Sequence, residues 1–570
     1  MSHAHEPAPG TAAIEVDDVA APLDALLIDA AFGPVRTLAP DLSTVKLAAR
    51  LAIRPRTTAR RLGSLVAELA RAGAGISELA PANGDRRFAD PAWARNPLLR
   101  RIMQAYLAAG STAEGLIDDG ELGWRDDQRM RFLATNLVEA LSPSNVPLLN
   151  PASAKAAIDT AGLNFVRGGA SLARDMMRAP RIPQMVDGSG FAVGGNLAAT
   201  PGAVVLRTDV FELIQYAPQT PMVREVPLLL VPPTINKFYA IDLAPGRSWI
   251  EHLVRSGQQT FVLSWRNPDA RHAAWGLDTY VRAILDALDA VERICRCERT
   301  VLGGVCSGGI LASIVASHLA GTGQLDRLAG LGLAVTVLDQ RRAGVPAALG
   351  DRYVAAAATA VSRRRGYLDG RMLAEIFAWL RPGDLVWNYW VNNYLLGRKP
   401  PAFDVLYWNA DTTRMSAKLY ADFVDLALNN RLAKPYSATV LGLPVDLRTV
   451  DVDAYVVAGI ADHITPWQSC YRTVDMLGGQ TRFVLSTSGH IAALVNPPDN
   501  PKATYRVNGK NPADPQDWLR GATTEQGSWW ADFISWLGPR CGREKRAPRR
   551  PGGRGFPVLI EAPGTYVLDR

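Results

Sequence analysis

The sequence predicts an α/β protein: a mostly parallel, doubly wound sheet preceded by a helical region. Three observations carry this. From about Ala203 onward, short apolar runs alternate with longer amphipathic stretches, the pattern of β-α-β units. Thr300 to Ile310 reads T-V-L-G-G-V-C-S-G-G-I, an apolar run and a glycine-rich turn leading into a helical pattern. Two later apolar runs each end on a chemically active side chain, Asp462 and His490.

Length and composition set limits. At 570 residues the chain is too long for one ordinary core, so two or more domains are expected. It is 48% hydrophobic and 21% charged, a globular composition. The net charge of +7 comes from 62 basic residues interspersed with 55 acidic ones, a mildly basic surface rather than a nucleic-acid signature. Such a surface suits an anionic substrate, or serves solubility alone. No apolar window of about 18 residues is present, so no spanning helix is expected. The first residues, M-S-H-A-H-E-P-A-P-G, lack the basic-then-apolar order of a secretory signal. Five irregularly spaced cysteines suit a reducing cytoplasm. Cys295 and Cys297 form C-x-C, but no second pair completes a zinc site, and both read as structural.

Residues 1–21 are polar and rich in proline and alanine, so disorder is expected there. Residues 22–190 read as an α-helical N-terminal domain, with apolar residues at three- and four-residue spacing in Leu65–Ala70 and Leu98–Leu107. Asp85 to Trp93 is a polar loop with aromatic anchors. This region reads as scaffold; docking, dimerisation or surface attachment are its functional alternatives.

Residues 191–570 read as the catalytic domain. Ala203–Leu206 opens the strands, and Val226–Val231 and Thr260–Trp265 are unbroken apolar runs, as strands buried on both faces should be. Leu277 to Arg296 is an amphipathic helix with Asp278 and Thr279 as cap candidates. The Thr300 run follows with its helix, then a strand region from Arg327 to Leu338. At about 340–445 the alternation breaks into helical and aromatic segments, among them Phe377–Leu380, Val386–Tyr394 and Tyr407–Asn409. This is an inserted cap, either packing or a lid over a hydrophobic substrate. The sheet resumes with a strand that ends in Asp462, before a helix that Pro466 can open. Thr481 to His490 is the last strand of this kind and ends in His490 after Gly489. Arg540 to Arg554 holds six Arg, one Lys and one Glu in 15 residues and reads as a solvated tail or a subunit contact.

Gly304-Val305-Cys306-Ser307-Gly308 fits the G-x-S-x-G nucleophile elbow with Cys in place of Ser. The glycines have a physical task, because side chains beside a strained turn collide with the strand and helix that flank it. The helix start behind Cys306 favours a thiolate through its free N–H groups and positive dipole end. Cys306, Asp462 and His490 then follow in the chain order nucleophile, acid, histidine, each at the C-terminal end of an expected strand. That order predicts an α/β-hydrolase fold with an inserted cap or lid.

The chain resembles the polyhydroxyalkanoate synthases from about residue 22 to its end. The residues that carry the likeness are the Asp85–Trp93 loop, Val231–Tyr239, Ser264–Pro268, the cysteine elbow, Asp384–Trp390, Asp462–Trp467 and Ser488–Ile491. Trp275-Gly276-Leu277 and Pro563–Val567 resemble the single-chain type called class II, which favours medium-chain monomers. Thr234, Ala492, Ala493 and the arginine-rich tail depart from the pattern and bear on chain-length preference.

The resemblance implies polymerisation of (R)-3-hydroxyacyl-CoA thioesters into polyester with release of CoA. His490 takes the Cys306 proton, Asp462 holds the imidazole, and the sulfur forms an acyl-cysteine. The Ser307 N–H supplies one half of the oxyanion hole, and Ile235 is expected to supply the other. A hydroxyl deprotonated by His490 then attacks, Asp462 being the alternative base. His463 binds substrate or packs, and Asp242 and Trp408 match positions that line the pocket. The family also implies a homodimer at the surface of a growing cytoplasmic granule, with phasin-type coat proteins as partners. No metal, prosthetic group or nucleic acid is expected. A cysteine thioesterase or lipase, and a non-catalytic granule-coat protein, are the other classes to separate from this one.

Overall fold

The computed structural model describes residues 42–177, 180–340, 352–462 and 464–570. The disorder expected for residues 1–21 lies outside the described residues. The centre is one sheet of eleven strands. These are β1 (Gly202–Arg207), β2 (Phe211–Tyr216), β3 (Leu228–Val231), β4 (Thr260–Trp265), β5 (Thr300–Val305) and β6 (Leu328–Ala334). After the cap come β7 (Ala454–Gly459), β8 (Thr481–Ser486), β9 (Thr504–Val507), β10 (Thr523–Gln526) and β11 (Ile560–Glu561). They lie in the order β10-β9-β8-β7-β6-β5-β3-β4-β2-β1-β11. The run from β4 to β8 is parallel, with Leu229 beside Leu302 and Val456 beside Phe483, while both edges turn antiparallel. With the helices on both sides, this is the α/β-hydrolase fold.

The unbroken apolar runs have a direct cause. Leu229, Val231, Phe261, Leu263 and Leu302 face one core, under the helices Leu277–Cys295 and Ser307–Gly321. Leu228, Leu230, Val262 and Val301 face the other, under Trp249–Arg255 and Trp529–Leu537. Each successive side chain is therefore buried, on alternate faces. β10 is the opposite case: Thr-Thr-Glu-Gln, exposed along its length, closes the sheet with polar side chains at an open edge.

Between β6 and β7 the chain forms helices Arg352–Arg365, Gly370–Trp379, Asp404–Ala410 and Ala417–Leu428, with two π-turn segments, Gly383–Trp387 and Trp390–Leu395. The N-terminal helices dock on this cap. Asn164 donates to the Leu395 carbonyl at 2.7 Å, Trp390 Nε1 to the Asn145 carbonyl at 3.1 Å, and Tyr394 to Asp175 at 2.8 Å. The Asp85–Trp93 loop is a clamp. Arg87 bonds Asp85 at 2.8 Å, Glu139 at 3.0 Å and Tyr106 at 2.7 Å, while Phe88 and Trp93 pack edge-on at 5.1 Å. Burial raises the Glu139 carboxyl against the pull of Arg87.

Two local expectations are corrected. The Leu277–Cys295 helix is capped at Gly276, not at Asp278 or Thr279, because Asp422 accepts the Leu277 N–H at 3.0 Å. Asp278 instead accepts the Leu441 N–H at 2.8 Å. The basic stretch from Arg540 is not a solvated tail: Glu544–Arg546 pairs antiparallel with Met222–Arg224, Lys545 donates to the Cys295 carbonyl at 3.0 Å and Arg540 binds Asp453 at 2.5 Å. Among the described residues no helix is long and apolar enough to cross a membrane.

Trp518 is fully buried against Phe483 at 4.8 Å and Tyr471 at 5.8 Å, beneath β8 and the helix Trp467–Tyr471. Trp518→Ala is expected to cost roughly 3–5 kcal/mol, read as a lowered urea midpoint, because the space left cannot close.

Candidate active site

Cys306 links β5 to the helix Ser307–Gly321 with φ 53° and ψ −120°, a conformation that a side chain bears only when its surroundings enforce it. The end of β6 enforces it. The Cys306 N–H donates to the Ala334 carbonyl at 2.9 Å, and Thr336 Oγ1 donates to the Cys306 carbonyl at 3.3 Å. Two glycines leave the room needed. A Cβ on Gly304 would lie 2.5 Å from the Gly309 Cα, and one on Gly308 would run into the carbonyls of Val231 and Pro232. The sulfur thus sits at the start of a 15-residue helix, and Cys306 is 7% exposed.

Asp462 follows β7 and is fully buried. Its Oδ1 accepts the N–H groups of Ile464 at 2.8 Å and Thr465 at 2.9 Å. Its Oδ2 accepts the Thr465 hydroxyl at 2.5 Å and meets His490 Nδ1 at 2.7 Å. His490 opens the short helix His490–Leu494, which Trp529 and Trp530 hold by bonds to the carbonyls of Ala493 at 2.7 Å and Leu494 at 3.2 Å. Nδ1 faces Asp462 and, at 3.1 Å, the Thr465 hydroxyl, and the Cys306 sulfur is near enough to the ring to favour its charge. The structure brings the three residues together.

Burial works against a charge on His490, but the Asp462 carboxylate and the Cys306 sulfur outweigh it and push its pKa up from 6.5 to about 10. Burial likewise opposes the Asp462 charge, and His490 with the three bonds from Ile464 and Thr465 holds the carboxyl below its ordinary value.

Ser307 begins the helix, and its hydroxyl is tied to Thr234, whose N–H donates to it at 3.0 Å. That bond uses the Thr234 N–H. The next N–H, of buried Ile235, has no protein acceptor among the described residues, and neither has that of Ser307. Trp408 reaches in from the cap, shares the hydrophobic cluster of Cys306 and donates to the Lys237 carbonyl at 2.8 Å. Asp242 is not in hydrogen-bond contact with the three residues. Its carboxylate is taken up by Thr200 at 2.5 Å, Ser248 at 2.6 Å and Tyr216 at 3.1 Å, with its pKa raised by burial. His463 lies outside the described residues.

Sequence reasoning passed over Thr465 and Thr336. Thr465 had a signal, since a hydroxyl three residues after an Asp is placed to close a turn with it. Thr336 had none, because it acts on Cys306 across two strands.

Comparison with known proteins adds the following. Residues 84–253 match the family described as poly-beta-hydroxybutyrate polymerase (PhaC) N-terminus, and residues 227–497 match the alpha/beta hydrolase fold. The chain is 44% identical over 530 residues to poly(3-hydroxyalkanoate) polymerase 1 of Ectopseudomonas oleovorans, covering 93% of this chain and 94% of that protein. It is 38% identical over 490 residues to the poly(3-hydroxyalkanoate) polymerase subunit PhaC of Cupriavidus necator, covering 85% and 83%. Among solved structures, the monoacylglycerol lipase of Paleococcus ferrophilus is 13% identical with a TM-score of 0.30, over 58% of this chain and 99% of that one.

The His490 charge gives a measurable consequence. Its pKa is raised, so the stabilisation from the pair is complete below pH 6.5 and fades as pH rises through about 10. Asp462→Asn is expected to lower the His490 midpoint by roughly 1–3 units, read by NMR titration of 13C-histidine-labelled protein. An unchanged midpoint would exclude Asp462 as the support of that charge.

Proposed function

The chain belongs to the polyhydroxyalkanoate synthase family, class II-like, and from that premise we propose how Cys306, Asp462 and His490 carry out its acyl transfer. It is an acyltransferase that makes polyhydroxyalkanoate. The observation that carries the catalytic reading is the 2.7 Å contact of His490 with Asp462, on a ring whose charge the nearby Cys306 sulfur also favours.

The substrates are (R)-3-hydroxyacyl-CoA thioesters, with medium chains favoured by resemblance. His490 takes the proton of Cys306 and the thiolate attacks the thioester carbonyl. The N–H groups of Ser307 and Ile235 stabilise the oxyanion that forms. The tetrahedral species collapses to acyl-Cys306, and the imidazolium returns its proton to the departing CoA sulfur. Now neutral, His490 takes the proton of a 3-hydroxyl on a monomer or chain end. That oxygen attacks the acyl-cysteine, forms the ester and expels the Cys306 thiolate. Asp462 holds the ring in the productive tautomer and balances its charge throughout. Each ester formed leaves the Cys306 thiolate beside the His490 imidazolium, the pair from which the next thioester is attacked.

Two features support synthesis over hydrolysis. The sulfur is buried in an apolar cluster that includes Trp408 of the cap, which keeps water from the acyl-enzyme. A thioester intermediate also retains the energy of the substrate thioester, so its transfer to a hydroxyl runs downhill. The enzyme works as a homodimer at the surface of a cytoplasmic polyester granule, alongside phasin-type coat proteins.

The test is CoA release from (R)-3-hydroxybutyryl-CoA and (R)-3-hydroxydecanoyl-CoA, with product weighed as polymer or titrated as free acid. Native protein is expected to give polymer, faster from the longer substrate, and Cys306→Ala to lose roughly 10^4-fold or more. Free acid in place of polymer points to a hydrolase, and release that survives loss of Cys306 removes the proposed nucleophile.

A further inference from the structure

Lys237 is an ammonium group held almost entirely inside the protein. Its side chain is 4% exposed. It sits two residues after Ile235, in the loop that follows β3. Burying such a charge costs several kcal/mol unless it is paired and hydrogen-bonded, so its partners identify its task. One is Asp411 of the cap, at 2.9 Å. The other is the backbone carbonyl of Val567, 330 residues further along the chain, at 2.5 Å.

Both partners are themselves fixed. Asp411 also accepts the Tyr239 hydroxyl at 2.8 Å, so one carboxylate holds two points of the loop. Val567 belongs to a C-terminal segment anchored on buried Glu212 of β2, which accepts the Thr565 N–H at 2.9 Å, the Thr565 hydroxyl at 2.8 Å and the Tyr566 N–H at 3.0 Å. The Tyr566 hydroxyl donates to the Thr208 carbonyl at 2.6 Å, and its ring lies 4.1 Å under the Arg266 guanidinium. The Lys237 carbonyl is held separately by Trp408. The loop between Pro232 and Tyr239 is thus pinned at four places. Thr234 is tied to Ser307, the Lys237 carbonyl to the cap, the Lys237 ammonium to cap and C-terminus, and Tyr239 to the cap.

We propose that Lys237 is a positioning residue for the second oxyanion donor, transmitting the placement of the cap and of the C-terminal segment to the Ile235 N–H. This rests on the reading of that loop as half of the oxyanion hole. The ammonium touches neither the substrate nor the triad. It sets where the loop backbone stands when negative charge develops on the carbonyl oxygen. A donor displaced by a few tenths of an ångström loses much of its effect on the transition state and little on substrate binding.

Lys237→Met removes both contacts with little change in length. Chain termination after Tyr566 removes the Val567 carbonyl and keeps the Glu212 anchor, and serves where Lys237→Met does not fold. CoA release is measured for native protein, both variants and Lys237→Arg, beside the rate of Cys306 alkylation by iodoacetamide. Alkylation is a direct displacement by sulfur, needs Cys306 and His490 and makes no oxyanion. The expected result is a kcat lowered roughly 10- to 100-fold in Lys237→Met and less in Lys237→Arg, with KM and alkylation within about 2-fold of native. The truncated chain is expected to shift in the same sense. A kcat near native in the variants overturns the proposal, as does alkylation slowed in parallel with turnover, which would make Lys237 a general support of the fold. Failure of the native chain to release CoA sinks the synthase mechanism itself, whereas native turnover with unaffected variants sinks only the role of Lys237.

Discussion

A fully buried carboxylate facing a buried imidazole is the constraint around which the α/β half of this protein is arranged. Removing Asp462 from water costs several kcal/mol even after the surroundings relax. The protein offsets it with two backbone N–H groups, the Thr465 hydroxyl and His490 Nδ1 on the two oxygens of one side chain. Ile464 and Thr465 can do this only if the chain turns sharply after β7. His490 can do it only if its short helix is pinned where β8 ends. The tryptophans of the Trp529–Leu537 helix supply that pin, so a C-terminal element more than 30 residues away in sequence helps set the angle of the imidazole.

The same logic extends to Cys306. The left-handed turn at Cys306 is paid for by bonds from β6 and by two glycines that let the β3 loop and the following helix approach. That approach is what allows Thr234 to reach Ser307. Cys306, His490 and the loop after β3 therefore each rest on a neighbouring strand, and the cap and the C-terminal segment close over the set. Elements distant in sequence become one rigid unit because buried polar groups accept few substitutes for their partners.

What could be read in the sequence follows from where the determinants lie. The parallel strands were legible because burial on both faces writes an unbroken apolar run into a few consecutive residues. The placement of Cys306, Asp462 and His490 was legible because each ends such a run. β2 was passed over, although all six of its residues are buried, because Glu212 and Gln215 interrupt its apolar pattern. Their partners, Thr565, Tyr566 and Gly552, lie more than 330 residues away, and no local pattern announces them. β9 and β10 were missed for the opposite reason: half-exposed and exposed strands at the sheet's margin carry little hydrophobic signal. The helix cap at Gly276 went unread because Asp422 supplies it from another element. Asp242 drew attention because the family resemblance put it at the pocket, yet three protein hydroxyls surround it. Lys237 drew none, since a lysine in a loop reads as surface until Asp411 and Val567 are seen beside it.

The charge balance also bears on why sulfur suits this chemistry. Asp462 and the Cys306 sulfur both favour the proton on His490, against the cost of burial. On the proposed cycle, acylation makes the sulfur neutral and removes one of those supports. The imidazolium then holds its proton less firmly at the moment the CoA sulfur needs it. The neutral ring that remains is a base aimed at the acyl group when a hydroxyl arrives. Ester formation regenerates the thiolate, and with it the second support for the imidazolium. A serine nucleophile, whose alkoxide is too basic to persist beside an imidazolium, would not supply that alternation. The cycle needs a sulfur whose charge comes and goes, next to a carboxylate whose charge does not. The bonds from Ile464 and Thr465 are what keep Asp462 in that constant state.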